Sequence, residues 1–180
     1  MRGAESARAK IILYKCALYG IALYFIGVLQ VTFFAGINVF GATPDLLLAA
    51  VATVALYEDI KVAGICGIIS GFFYTALGGF SIPLYIIFSF LCAYALSVAT
   101  ENGLPKKHSS FLIVAILAFG AKALFNIAEI SLSASSFSAF GTVKSIIIPE
   151  FLSSMLLCPV AYLIFFGISR IFNKKQAKKG

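Results

Sequence analysis

The chain is 180 residues long, 61% hydrophobic and only 12% charged, where a soluble domain is about half apolar and a quarter charged. A water-soluble core of this size cannot hide so much apolar surface, so a soluble globular domain is excluded. The net charge of +7 has no folded polar surface on which to meet a nucleic acid, and reads instead as a membrane-topology signal with some attraction to anionic lipid.

The apolar stretches are continuous rather than alternating, which predicts spanning helices and excludes a closed barrel. Six spans are expected in one all-α transmembrane domain covering residues 1–180. The first, residues 11–35, is too long for a signal-peptide core and lacks a small-residue cleavage site, so it is read as a retained helix. Gln30 near its end has an amide that can bond to a neighbouring helix. The second span, 44–57, opens on "TPD". Thr43 can cap it, Pro44 suits the first helical position, and Asp45 in the first turn meets the positive end of the helix dipole. Asp45 is either a helix-start device or a contact for a partner or ligand. At 1.5 Å per residue this span covers only about 21 Å, and the third, 62–77, about 24 Å, against a hydrocarbon core of roughly 30 Å. Longer neighbours must shield both.

In the third span Gly67 and Gly71 are four residues apart, and Ala63 extends the same ridge. Small residues at this spacing admit a close helix, either from within the bundle or from a partner. Gly78 and Gly79 ahead of Pro83 predict a tight turn into the fourth span, 82–100. The fifth, 111–130, carries Lys122 about 16 Å from its start, near the bilayer midplane, and Glu129 about 27 Å from it. The sixth, 146–172, opens on Pro149 and Glu150. Asp45, Glu129 and Glu150 are thus expected to ring one half of the bundle above a buried lysine. Such a lysine must find an acceptor. Glu129, seven positions on, shares its helix face, but the axial gap is about 10.5 Å. Water, Glu150 or a backbone carbonyl is needed to complete the link, and Lys122→Met is expected to cost little.

Of the fourteen Lys and Arg residues, twelve lie at the two chain ends or in the connections after the second and fourth spans. One, Lys144, lies in the opposite connections. This predicts both termini in the cytoplasm. Cys16, Cys66, Cys92 and Cys158 show no paired spacing and are expected to be buried apolar side chains. With His108 the only histidine, no two-histidine zinc motif and no histidine-based hydrolase triad can be assembled. No metal, cofactor or catalytic residue is expected.

The string "IGVLQVTFFAGINVFGATPDLLLAAVATVAL" resembles the opening of the rod-shape-determining MreD family: Leu29-Gln30, then Gly41, Pro44, Asp45 and the leucines Leu46, Leu47 and Leu48. The glycine ridge of span three, "IPLYIIFSFLCAYAL" in span four and "PEFLSSMLLCP" in span six, with Pro149, Glu150 and Pro159, resemble that family too. Tyr74 stands where many relatives carry an acid, and an asparagine common in their last helix is missing. The resemblance implies a non-enzymatic component of the bacterial cell-elongation machinery in the cytoplasmic membrane. It would bind MreC and act with MreB, RodA and a class B penicillin-binding protein in peptidoglycan synthesis. The family's fold is similar to the substrate-binding subunits of energy-coupling-factor vitamin transporters, which supplies an alternative function.

Overall fold

The computed structural model describes residues 2–34, 43–78, 84–103, 105, 107–133, 143 and 147–177. Among them there are six α-helices and no strand: α1 Arg2–Leu29, continued by a π-helical turn Gln30–Phe34, α2 Leu46–Tyr57, α3 Ile60–Gly78, α4 Leu84–Asn102, α5 His108–Ser133 and α6 Ile148–Ala177. Gly41 of the resemblance, Gly79 and Pro83 of the predicted turn, and most of the serine-rich connection after α5 lie outside the described residues. Five of the helices are long and apolar enough to cross a membrane, and α2 is a shorter apolar helix. The predicted boundaries hold to a few residues, except that α1 begins nine residues early and α6 runs on to Ala177.

The centre of the molecule is α2. Every residue from Leu46 to Leu56 is buried, and α1, α3, α4, α5 and α6 all pack against it. A helix apolar all round has no face to offer to water and belongs inside a bundle. Its 12 residues rise only about 18 Å, and the expected shielding by longer neighbours is what the packing shows. Ala49, Ala50, Ala52 and Ala55 are fully enclosed. Small side chains let five helices approach one axis, and in lipid that close approach replaces the hydrophobic effect as the source of stability. Side-chain hydroxyls bond across to its carbonyls: Ser70 to Leu47 O (3.4 Å) and Thr100 to Ala55 O (3.0 Å).

The most extensive pairing is α3 with α4, and the glycine ridge explains it. A Cβ on Gly67 would lie 2.7 Å from the Ser89 carbonyl oxygen and 2.8 Å from the Ala93 Cβ, and one on Gly71 would lie 2.6 Å from the Ile86 Cα. The ridge is therefore filled by the backbone of α4, and Ala63 beside it is fully buried. Of the two uses open for this ridge, docking of a partner helix is excluded by α4. All four cysteines are buried and free. The outer faces of α1, α4, α5 and α6 carry exposed Leu, Ile, Phe and Tyr, as lipid contact requires.

Candidate functional site

The sequence puts a carboxylate at each end of α2, and the bundle gives each a buried lysine. At the N-terminal end Asp45 is the helix N-cap. Its Oδ1 accepts from the Leu48 N–H at 3.0 Å, while its own N–H donates to Ser154 Oγ on α6 at 2.9 Å. The cap is thus Asp45, not Thr43, which is exposed, and Pro44 is a buried lead-in rather than the first helical residue. Asp45 outcompetes Thr43 because its chain position lets one oxygen reach the third N–H of the helix while the other faces inward.

Gln30 completes the cap from α1. Its Oε1 accepts from the Leu46 N–H at 2.9 Å and the Leu47 N–H at 3.2 Å. The first four helix N–H groups normally lack partners, and water is scarce at this depth. Here Asp45 bonds to Ser154, Leu46 and Leu47 to Gln30, and Leu48 to the Asp45 carboxylate, after which Ala49 makes the first intrahelical bond, to the Asp45 carbonyl. The π-helical turn that begins at Gln30 shifts the helix face at the residue that must reach across, a common use of such turns. Gln30→Leu is expected to strand two amides at about 1–3 kcal/mol each. The check is the unfolding midpoint of the purified protein in detergent, and a shift indistinguishable from zero would contradict the cap.

The other Asp45 oxygen, Oδ2, accepts from the Tyr85 hydroxyl at 2.6 Å and pairs with Lys122 Nζ at 2.5 Å. Lys122 also pairs with Glu150 Oε1 at 2.6 Å, and Asn126 Nδ2 donates to Glu150 Oε2 at 2.9 Å. The ammonium lies 4.9 Å from the ring centroid of Tyr74 and 5.6 Å from that of Tyr85, the two rings being stacked 3.9 Å apart. Asp45 is 1% and Lys122 3% exposed, so the pair is desolvated and each charge depends on the other.

Glu129 is not part of this cluster. It is half-buried, and no ion pair joins it to Lys122. The expected link along α5 fails because the axial gap is real, whereas α2 and α6 bring carboxylates to the lysine at its own level. Asp45 and Glu150 are brought together as expected. Tyr85, Asn126 and Ser154 were not singled out by the sequence, and Tyr74 stood out only as the residue at a position where many relatives of the resembled family carry an acid. Pro149 sits in the first turn of α6, where its missing N–H costs nothing.

A second cluster holds the other end of α2. Glu58 is the C-cap, and its N–H donates to Val54 O at 2.9 Å. Its Oε2 pairs with Lys15 Nζ at 2.5 Å, and its Oε1 accepts from the Tyr19 hydroxyl at 2.8 Å. A carboxylate at a helix C-terminus opposes the dipole, so the lysine offsets both the burial and the dipole. Sequence reasoning missed this site because Lys15 was counted with the basic N-terminus. Its signal was a lysine inside an apolar run with Tyr19 one turn further on.

Beside the first cluster lies a crevice of about 10 Å³ between α5 and α6, lined by Phe119, Lys122, Asn126, Glu150 and Phe151 among others. That is the lower limit of room for one water. No group of three or more metal-ligating side chains occurs among the described residues.

No protein-family model matches the chain, no curated protein matches it and no solved structure matches its fold. What the chain does is therefore argued from the site and from the residues that carry the resemblance.

Proposed function

We propose that this chain is an MreD-like, non-enzymatic component of the bacterial cell-elongation complex. It crosses the cytoplasmic membrane six times with both termini inside, and it binds MreC beside MreB, RodA and a class B penicillin-binding protein. One observation carries the reading. Gln30 and Asp45 from one string of the resemblance and Glu150 from another meet around the N-terminus of α2. A pattern spread over 120 residues thus corresponds to one physical unit, a cap and charge clamp that sets the central helix. Tyr74 adds to this. At the position where many MreD proteins carry an acid, this chain turns an aromatic face to Lys122, a substitution of one cation acceptor for another.

The alternative, a vitamin-binding subunit of an energy-coupling-factor transporter, needs polar groups free to receive a ligand. Here Asp45 and Glu150 are engaged with Lys122, and the adjoining space is about 10 Å³. The clamp reading is therefore favoured.

The test is complementation. In a rod-shaped bacterium depleted of its own MreD, the chain expressed with its cognate MreC is expected to restore rod shape, and a tag on either terminus to recover MreC from detergent extracts. Recovery of a transporter ATPase module instead of MreC would overturn the proposal. Topology is checked separately with an impermeant maleimide. A cysteine introduced at Ser135 is expected to react in intact cells, and one at Lys178 only after the cells are opened. The reverse pattern would invert the arrangement.

A further inference from the structure

Helix α5 loses its support part-way along. It packs chiefly on α2 and more lightly on α4 and α6, and α2 begins at Leu46, just after the Asp45 that meets Lys122. From Lys122 to its end at Ser133, α5 rises about 16 Å further. Among the described residues no central helix backs that stretch.

The stretch is polar on one face. Asn126 and Glu129 follow Lys122 at helical spacing, so the three share a face, and exposure grows outward along it: Lys122 is buried, Asn126 and Glu129 half-buried. Beside them the seam between α5 and α6 is unsealed, since the crevice there reaches Lys122, Asn126 and Glu150. Three carboxylates thus stand here against one ammonium. Asp45 and Glu150 both pair with Lys122, and the second Glu150 oxygen is taken by Asn126. Glu129 makes no hydrogen bond or ion pair with any described residue. It lies about 10.5 Å outward from Lys122, and it is the negative charge that the bundle leaves unmatched.

We propose that a membrane-spanning helix of a partner docks along α5 beyond Lys122 and brings an Arg or Lys side chain to Glu129. This rests on the reading above that the chain binds MreC, and gives that contact a place. Charge complementarity selects the occupant. An inorganic cation needs several converging ligands, and no group of three metal-ligating side chains occurs among the described residues. A zwitterionic lipid headgroup would carry its phosphate into a region already in negative excess. A basic side chain needs one carboxylate, and its long stem can lie along apolar surface. Such a surface flanks the polar face: Ala123, Ile127 and Ile130 repeat its spacing and are half-buried.

The test is recovery of co-expressed cognate MreC with the tagged full-length chain from detergent extracts. Glu129→Lys is expected to lower recovery about tenfold through like-charge repulsion, with the unfolding midpoint of the chain unchanged. Reversing one basic residue of MreC to Glu should restore it. A photoreactive p-benzoylphenylalanine at Ile130 is expected to crosslink to MreC, and one at Leu13, exposed on α1, is not. Unchanged recovery with Glu129→Lys would overturn the proposal and leave the MreC reading standing, whereas no recovery by the unaltered chain would overturn both. Loss of recovery together with a lowered midpoint would assign Glu129 to the bundle and also overturn the docking. So would a phosphatidylethanolamine that the unaltered chain retains in native mass spectrometry and Glu129→Lys releases while MreC stays bound. Should Glu129→Lys not fold, Glu129→Gln and the Ile130 crosslink decide.

Discussion

Lys122→Met is expected to destabilise the protein by on the order of 3–5 kcal/mol, the usual cost of removing one partner from a buried ion pair. The sequence alone suggested a mild effect, because the nearest carboxylate on its own helix was two turns away. The structure reverses that expectation. Asp45 and Glu150 lie 2.5 and 2.6 Å from the ammonium, and without it two carboxylates face each other at membrane depth. Methionine keeps much of the apolar stem but supplies no charge. Asp45→Asn should cost less. Asparagine is as good an N-cap as aspartate, the amide oxygen can still accept from Leu48 or Tyr85, and Lys122 keeps Glu150. The check is the denaturant or thermal midpoint in detergent for both variants, and an order of effects opposite to this one would contradict the assignment.

Gly71→Leu is expected to be worse still, beyond the 1–3 kcal/mol typical of overpacking. The added Cβ alone would sit 2.6 Å from the Ile86 Cα and 3.1 Å from the Tyr85 carbonyl oxygen, and main-chain atoms cannot rotate away as a side chain can. Tyr85 also donates to Asp45, so displacing α4 disturbs the charge cluster as well. Gly120 is the control. Nothing lies within 4 Å of a Cβ placed there, so Gly120→Ala should leave stability unchanged or raise it by up to about 1 kcal/mol through the helix propensity of alanine. Loss of a partner from a Gly67 or Gly71 variant would accordingly report damage to the bundle. Recovery of a fully stable Gly71→Leu protein would remove the packing account of the ridge.

The elements were legible in the sequence because apolar run length is nearly all that a spanning helix requires. Depth was legible only in part. Counting residues along the spans placed Lys122 near the midplane with Asp45 and Glu150 together above it, whereas α2 and α6 bring both carboxylates to the level of the lysine. What counting cannot supply is azimuth. Glu129 shares a face with Lys122 on a helical wheel, yet the lysine is met by groups from α2, α4 and α6 whose rotations are set by packing. Lys15 illustrates the converse. It stands within a basic N-terminal stretch and was assigned to solvent and topology, while the return of α2 beside α1 places Glu58 against it. Gln30 was read as a residue that bonds to a neighbouring helix, and the structure supplies the particular acceptor role, the open N-terminus of α2.

The central claim is that the Asp45–Lys122–Glu150 cluster acts as a clamp on α2 and performs no chemistry of its own. It is tested most directly by rod-shape complementation with the neutral triple variant Asp45→Asn, Lys122→Met, Glu150→Gln beside Lys122→Met alone, with the unfolding midpoint measured for each. Replacing all partners of a buried charged set together is often close to neutral, whereas removing one is not. The triple variant is therefore expected to recover most of the stability lost by the single one, and with it MreC binding and rod shape. A triple variant that is stable and retains MreC but leaves the cells round would contradict the clamp, and would assign the charges themselves a working role.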